Sequence, residues 1–437
     1  MARREFHDPG DFMDFSLIEK IVLPNGLRIL LLPDNRSRSA CVSIWVGSGT
    51  RFEALENNGV SHYIEHMLFK GTEKRSARDI AEQTDGIGGQ LNAYTTKEYT
   101  CYYARALDSH IPLALDVLCD MLTCPTLSQA DMDTERGVIL EEIGMYEDSP
   151  DDLLLDGMYA SVWKDSMLGS NILGTRPIIS AMTADQLRSH MAQQYTGSRT
   201  VCAVCGRFDR DIVVDIISSS LGRLPKGNCS YIAQKAEYNK SIKLIERDFE
   251  QIHLALCFPS VSQEDEIRNP LAIFNSICGG SSSSRLFQRI REELGLAYAV
   301  GSSSTPYLKE GLFEIDAAVS PENEGAALHE ILCEMNRLVR DGVTADEVSR
   351  AKEQMKASII MGLEGNSAAA GHMGRSELLK GRIRTEDQII ETIDAITVDD
   401  VNDAARMIVD FNKISICAVG KVSDANYYSG IVQKAII

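Results

Sequence analysis

Thr200-Val-Cys-Ala-Val-Cys-Gly206 returns near the end of the chain as Ile414-Ser-Ile-Cys-Ala-Val-Gly420. Both are apolar, β-branched runs closed by glycine, and each reads as a buried strand. Met182-Thr-Ala-Asp-Gln-Leu187 precedes the first, and Ile396-Thr-Val-Asp-Asp-Val401 precedes the second. In each, the threonine is placed to cap a helix that leads into the strand. A further echo pairs Leu127-Ser-Gln-Ala-Asp-Met132 with Val343-Thr-Ala-Asp-Glu-Val348, each ahead of a long helical pattern. A repeat of this length sets the architecture. It predicts two homologous domains at 1–225 and 243–437, joined by a linker at 226–242. Leu224 to Ser241 carries Pro225, Gly227, Asn228 and Ser230 among several lysines, as a linker would.

Each half opens on strand-like runs: Arg28-Ile-Leu-Leu-Leu32 and Cys41-Val-Ser-Ile-Trp-Val46 in the first, Ile252-His-Leu-Ala-Leu-Cys-Phe258 in the second. Long helical patterns follow, and strands recur in blocks rather than in βαβ alternation. The fold class expected is α+β, with an antiparallel-rich sheet in each domain and helices packed on one face.

The chain has 437 residues and a formal charge of −19, from 44 basic and 63 acidic residues. Such a chain repels polyanions, so no nucleic-acid partner is expected; a cationic peptide is the better electrostatic match, although the acidity could as well serve solubility alone. No apolar run approaches the ~20 residues that span a bilayer, so no membrane partner is expected either. Met1 to Leu17 carries Glu5, Asp8, Asp11 and Asp14 and lacks an apolar core, unlike a secretory signal or a mitochondrial presequence. Eleven cysteines, an odd number, favour reduced thiols and a cytoplasmic location. Cys202 and Cys205 are spaced as C-x-x-C but sit inside the buried strand, where they fill core.

The chemistry centres on His62-Tyr-Ile-Glu65-His66. Histidines at i and i+4 share one helical face, with a carboxylate beside them. That suits one metal ion held by two nitrogens, with Glu65 placed to take a proton from water. The order H-x-x-E-H reverses the commoner H-E-x-x-H signature. Asn57 or Asn58 could cap this helix, and Gly71 could end it. A catalytic zinc takes three protein ligands, so a third must come from elsewhere. Glu135-Arg-Gly-Val-Ile-Leu-Glu-Glu142-Ile-Gly-Met145 is the best source, although spacing alone does not choose between Glu141 and Glu142. As a bare five-residue pattern, His62 and His66 could be a surface pair beside an ordinary glutamate; two of only eight histidines in one turn, with a carboxylate-rich helix to follow, favour the metal site.

His62-Tyr-Ile-Glu-His-Met-Leu-Phe-Lys-Gly-Thr72 closely resembles the active-site helix of the pitrilysin family of inverted-motif zinc peptidases, which includes insulysin and the mitochondrial processing peptidase. The resemblance extends over almost the whole chain and implies one Zn2+ per chain. It selects Glu142 as the third ligand, makes Glu65 the general base and gives Glu135 the task of orienting a ligand. Gly88-Gly-Gln-Leu-Asn-Ala-Tyr-Thr-Thr-Lys-Glu98 resembles the family's substrate-binding edge strand, with Asn92 and Ala93 at the matching positions. Ser284-Arg-Leu-Phe-Gln-Arg-Ile-Arg291-Glu-Glu-Leu-Gly-Leu-Ala-Tyr298 is similar to the family's Arg/Tyr segment, which implies that Arg291 and Tyr298 bind the substrate backbone and stabilise the developing oxyanion. In isolation, Arg291 would be one more charge on a solvated helix. His253, in a stretch that resembles the start of the second domain, is expected to be structural. Gly279-Gly-Ser-Ser-Ser-Ser284 lacks the P-loop lysine and reads as a substrate-facing loop.

A two-domain chain of this family implies a dimer around a chamber, homomeric or formed with a metal-free homologue. The expectation is therefore a zinc endopeptidase acting on short or unfolded peptides. The rivals are a non-catalytic scaffold or peptide-binding subunit, and a metal-dependent hydrolase of non-peptide substrates.

Overall fold

The two repeated strands hold the same place in two sheets. The computed structural model describes residues 13–227 and 233–435. The first sheet contains β1 (Glu19–Val22), β2 (Arg28–Pro33), β3 (Ser39–Val46), β4 (Gln90–Thr95), β5 (Thr100–Leu107) and β6 (Thr200–Gly206), in the order β1-β2-β6-β3-β5-β4. The second contains β7 (Ile242–Glu246), β8 (Ile252–Ser260), β9 (Ala297–Pro306), β10 (Gly311–Val319) and β11 (Ser415–Gly420), in the order β7-β11-β8-β10-β9. With β1 set aside, the orders coincide. Each sheet is antiparallel apart from one parallel pair, β2 with β6 and β7 with β11. Thr183 and Thr397 cap the helices before β6 and β11, each within a reciprocal capping box. Glu5, Asp8 and Asp11, and Asn228 and Ser230 of the linker, lie outside the described residues. The linker's described remainder, 233–241, has neither helix nor strand.

Helices α1 (Val60–Leu68), α2 (Ala77–Gly86), α3 (Ile111–Thr123) and α4 (Gln129–Asp148) belong to the first half. They share a core with one face of the first sheet, where Ile44, Val46, Tyr102 and Ala104 meet Val60, Ile64, Leu115 and Ile139. The opposite face is covered too, and the cover comes from the other half. Leu30, Leu32, Trp45, Val201 and Ala203 pack on Ala369, Ala370, Met373 and Leu378 of the helix Asn366–Lys380. Reciprocally, α5 (Pro150–Val162) lays Leu154, Met158 and Val162 on Ala255, Cys257, Cys417 and Val419 of the second sheet. Burial on both faces is why β2, β6 and β11 are continuous apolar runs rather than alternating ones. Gly374 makes the exchange possible at Trp45, because a Cβ there would fall 2.1 Å from the indole Nε1.

A buried ionic cluster ties the halves at the turns that follow the two edge strands. Arg51 pairs with Glu98 Oε1 at 2.9 Å and with Glu310 Oε1 at 2.5 Å. Glu98 lies in the β4–β5 turn and Glu310 in the β9–β10 turn, and the Leu308 amide donates to Glu98 Oε1 at 2.9 Å. Charges this buried are tolerated only when paired and hydrogen-bonded, so the cluster fixes where the ends of β4 and β9 meet.

Candidate metal centre

α1 begins after Gly59 rather than at an Asn57 or Asn58 cap. Gly59 has φ 91°, and a Cβ there would stand 2.6 Å from the Leu173 carbonyl, so the entry to α1 requires glycine. The amides at the helix start are satisfied by a carboxylate from the preceding loop. Glu53 Oε1 accepts from the Ser61 amide at 2.9 Å, and Oε2 accepts from the Gly59 amide at 2.7 Å. Asn58 instead donates its side-chain NH2 to Glu53 Oε2 at 3.0 Å. At the other end Phe69 remains right-handed, and Gly71, at φ 132°, lies in the following turn instead of capping the helix.

His62 and His66 project from α1 toward Glu142 of α4. Glu142 Oε2 is 3.6 Å from His62 Nε2 and 3.5 Å from His66 Nε2. Two ligands each about 2.05 Å from a tetrahedral ion stand about 3.3 Å apart, so this spacing fits joint ligation of one ion. The donor set of two imidazoles and a carboxylate suits zinc. Burial, with His66 adding to it, pushes His62 down to about 4, leaving a neutral ring at pH 7. The hydrogen bond with His66 holds the Glu142 carboxyl below its ordinary value, so it stays ionised. Glu141 is exposed and does not converge with the histidines as Glu142 does. His62 Nδ1 is buried with no hydrogen-bond partner among the described residues.

The supporting residues divide the work. Glu135, buried on α4, meets His66 Nδ1 at 3.4 Å and also pairs with Lys70. A proton held on Nδ1 leaves the Nε2 lone pair free to ligate. Glu135→Gln is therefore expected to weaken zinc affinity about 10–100-fold. Titration against a competing chelator measures this, and an unchanged affinity would count against an orienting role. Glu65 is not one of the three converging groups, but it lines the same cavity as His62 and Glu142. Thr95 Oγ1 donates to its Oε2 at 2.5 Å, and burial raises its carboxyl above the ordinary glutamate value. That makes Glu65 a better proton acceptor than an exposed carboxylate. A cavity of about 240 Å³ opens here, and all its lining residues come from the first half, among them Glu65, Tyr94, Thr95 and Tyr146.

Asn92 and Ala93 lie on β4, the edge of the first sheet. The Ala93 amide donates to Asn92 Oδ1 at 2.8 Å. Arg291 lies in a π-helical turn, Phe287–Glu293, with its guanidinium carbon 4.7 Å from the Phe287 ring centre and 5.7 Å from that of Tyr298. Tyr298 is 76% exposed. It stands at the far end of β9 from the tied turn, about 26 Å from Pro306 at about 3.3 Å per residue. The structure thus joins Arg291 to Tyr298 but puts neither in the cavity beside Glu65. His253 Nδ1 pairs with Asp151 Oδ1 at 2.8 Å, and Cys202 and Cys205 are buried in β6. Counted from the caps Ser128 and Thr344, Glu135 and Glu142 fall opposite Ala351 and Ser358, so the second half lacks those carboxylates.

Sequence reasoning missed Glu53, Lys70 and Thr95. Lys70 could have been found, since it lies four residues after His66, next to a ligand that needs a carboxylate. Thr95 lies within the Gly88–Glu98 segment and ends β4, but nothing in its sequence setting points to Glu65. Glu53 carried no local signal, because its partners are backbone amides.

Residues 28–176 match the sequence model described as "Insulinase (Peptidase family M16)", and residues 181–355 match "Peptidase M16 inactive domain". A protein named as an uncharacterized zinc protease in Bacillus subtilis (strain 168) is 39% identical over 90% of this chain and 96% of its own. An uncharacterized zinc protease of Streptomyces coelicolor is 38% identical over 93% of this chain and 90% of its own. A probable mitochondrial-processing peptidase subunit beta of Arabidopsis thaliana is 32% identical over 93% of this chain and 79% of its own. The crystal structure of a peptidase M16 inactive domain from Pseudomonas fluorescens has the same fold, with TM-score 0.87 at 20% identity over 93% of this chain and 99% of the other.

Proposed function

The chain belongs to the insulinase family of peptidases, family M16, and on that premise we propose that it is a zinc-dependent endopeptidase acting on short or unfolded peptides. The observation that carries this reading is the convergence of His62 Nε2, His66 Nε2 and Glu142 Oε2 beside Glu65. Zinc held there by His62, His66 and Glu142 would supply a Lewis acid that makes an attacking water far more acidic. Glu65 accepts the proton of the attacking water and passes it to the leaving amine. Asn92 and Ala93 present the edge of β4 to an extended peptide, which adds as a further strand. Pairing with substrate would replace the Ala93–Asn92 contact. In this reading the chain works in the cytoplasm, in keeping with its free cysteines.

The donors for the oxyanion come from a second subunit. Arg291 and Tyr298 are remote from Glu65 within one chain, and Tyr298 is open to a neighbour. In a twofold dimer enclosing a chamber, the partner subunit's Arg291 and the partner's Tyr298 would complete each site. Mixing Glu65→Gln with Tyr298→Phe subunits tests this. Random exchange gives heterodimers in half the population, each with one intact site of two, so recovery should approach about a quarter of wild-type activity. Demonstrated exchange with no recovery above either parent would exclude a shared site.

The Arabidopsis relative, named as a subunit beta, favours one second reading, a subunit of a heteromeric peptidase. A purely peptide-binding subunit would have no need of the intact ligand set. Cleavage by the purified chain alone separates the homomeric from the heteromeric case.

A further inference from the structure

A second and larger cavity, of about 860 Å³, lies between the halves, under the face of the first sheet that carries Trp45. Arg268, Arg375, Lys380, Arg382 and Arg384 all line it. They come from three places: the start of the helix Arg268–Cys278, the helix Asn366–Lys380, and the loop before the helix Glu386–Ala395. Among the described residues, none of the five forms an ion pair with a carboxylate, although acids outnumber bases 63 to 44 in the chain. Glu264, Asp265 and Glu266 also line the cavity; like Arg375 and Arg382 they are exposed, and they pair with none of these cations. Unneutralised like charges in one partly buried space are costly. Burial and the four arginines push Lys380 down to about 8.

This cavity adjoins the metal centre. Tyr94, on edge strand β4, lines both cavities. An extended peptide lying along β4 past Glu65 would run toward the cationic space. Its size is that of a ligand cleft, and its chemistry is that of carboxylate recognition by arginine.

We propose that the cavity formed by Arg268, Arg375, Lys380, Arg382 and Arg384 is a subsite for the carboxylates of the peptide on β4, so that acidic peptides are preferred substrates. This rests on the peptidase reading and narrows its substrate class. It differs from the cationic match that net charge suggests, since charge averaged over 437 residues does not describe one cavity. The carboxylate could belong to acidic side chains or to the peptide's C-terminus.

The test measures binding rather than cleavage. Three fluorescent peptides share one core: one with a terminal run of Glu, one with Gln in that run and a free C-terminus, and one with Gln and an amidated C-terminus. Each is titrated by anisotropy at low salt into full-length Glu65→Gln protein. At least one carboxylate-bearing peptide is expected to bind about tenfold or more tightly than the amidated Gln peptide, with a ratio that shrinks as salt rises. Whichever carboxylate gives the ratio identifies the source. In the Arg375→Gln/Arg384→Gln background the ratio should fall to about twofold or less. Arg382→Gln, at an exposed position, serves as a second variant with a smaller loss, and thermal melting verifies folding. Equal affinities in the parent, or a ratio that survives the double substitution, would overturn the proposal. A wild-type protein that cleaves no peptide would instead overturn the peptidase reading, and the binding ratio would still decide this one.

Discussion

Glu65→Gln is expected to reduce peptide hydrolysis by about 10²–10⁴-fold while the protein keeps one zinc per chain. The amide is nearly isosteric and can still accept the hydrogen bond from Thr95 Oγ1, so the fold at β4 and α1 should persist. It cannot accept a proton from water at neutral pH, nor return one to the leaving amine. Because Glu65 is not one of the three converging donors, metal content should not change. The measurement pairs kcat on a quenched peptide with zinc content by elemental analysis. Loss of zinc together with activity would make Glu65 a structural prop of the centre rather than its base.

Glu142→Ala is expected to have an effect as large by a different route. Removing the oxygen that faces both histidines leaves two ligands where a catalytic zinc requires three. Zinc should be lost at stoichiometric concentration, and hydrolysis should fall to background. Glu142 is only partly buried on α4, so the apo fold should survive the change. Thermal stability provides a readout independent of activity. Zinc at a thousandfold above its Kd stabilises a binding-competent fold by about 4 kcal/mol, so wild type should melt higher with zinc than after chelation. The variant should show no such difference. A variant that kept the zinc-dependent rise would mean that the ion is held elsewhere.

These two substitutions separate what the sequence made legible from what it did not. His62, Glu65 and His66 were readable because helical periodicity alone puts positions i, i+3 and i+4 together. The choice of Glu142 over Glu141 was not readable from spacing, since adjacent residues on a helix differ by about 100° and nothing local tells which side faces α1. In space, Glu141 is exposed and Glu142 meets both imidazoles. The two-sheet architecture followed from the repeat around Thr200–Gly206 and Ile414–Gly420, because each of those strands is closed by glycine and preceded by a capped helix. The exchange of helices between halves was hidden. A continuous apolar strand says that both faces are buried, but not that Met373 comes from far along the chain to bury one of them. The entry to α1 was misread for a similar reason: Asn58 has the composition of a cap, but the amides are held by Glu53, and Gly59 supplies the left-handed turn. Net charge was the least informative feature here, because it is a sum over the surface and says nothing about the five cations that line one cavity.

The central claim is that metal held by His62, His66 and Glu142 makes this chain a peptidase. A library of quenched peptides incubated with the purified protein tests it most directly, before chelation, after chelation and after return of stoichiometric zinc. The account predicts cleavage that disappears with the chelator and returns with zinc. Cleavage that persists after complete removal of metal, or no cleavage by the fully zinc-loaded protein, would contradict it.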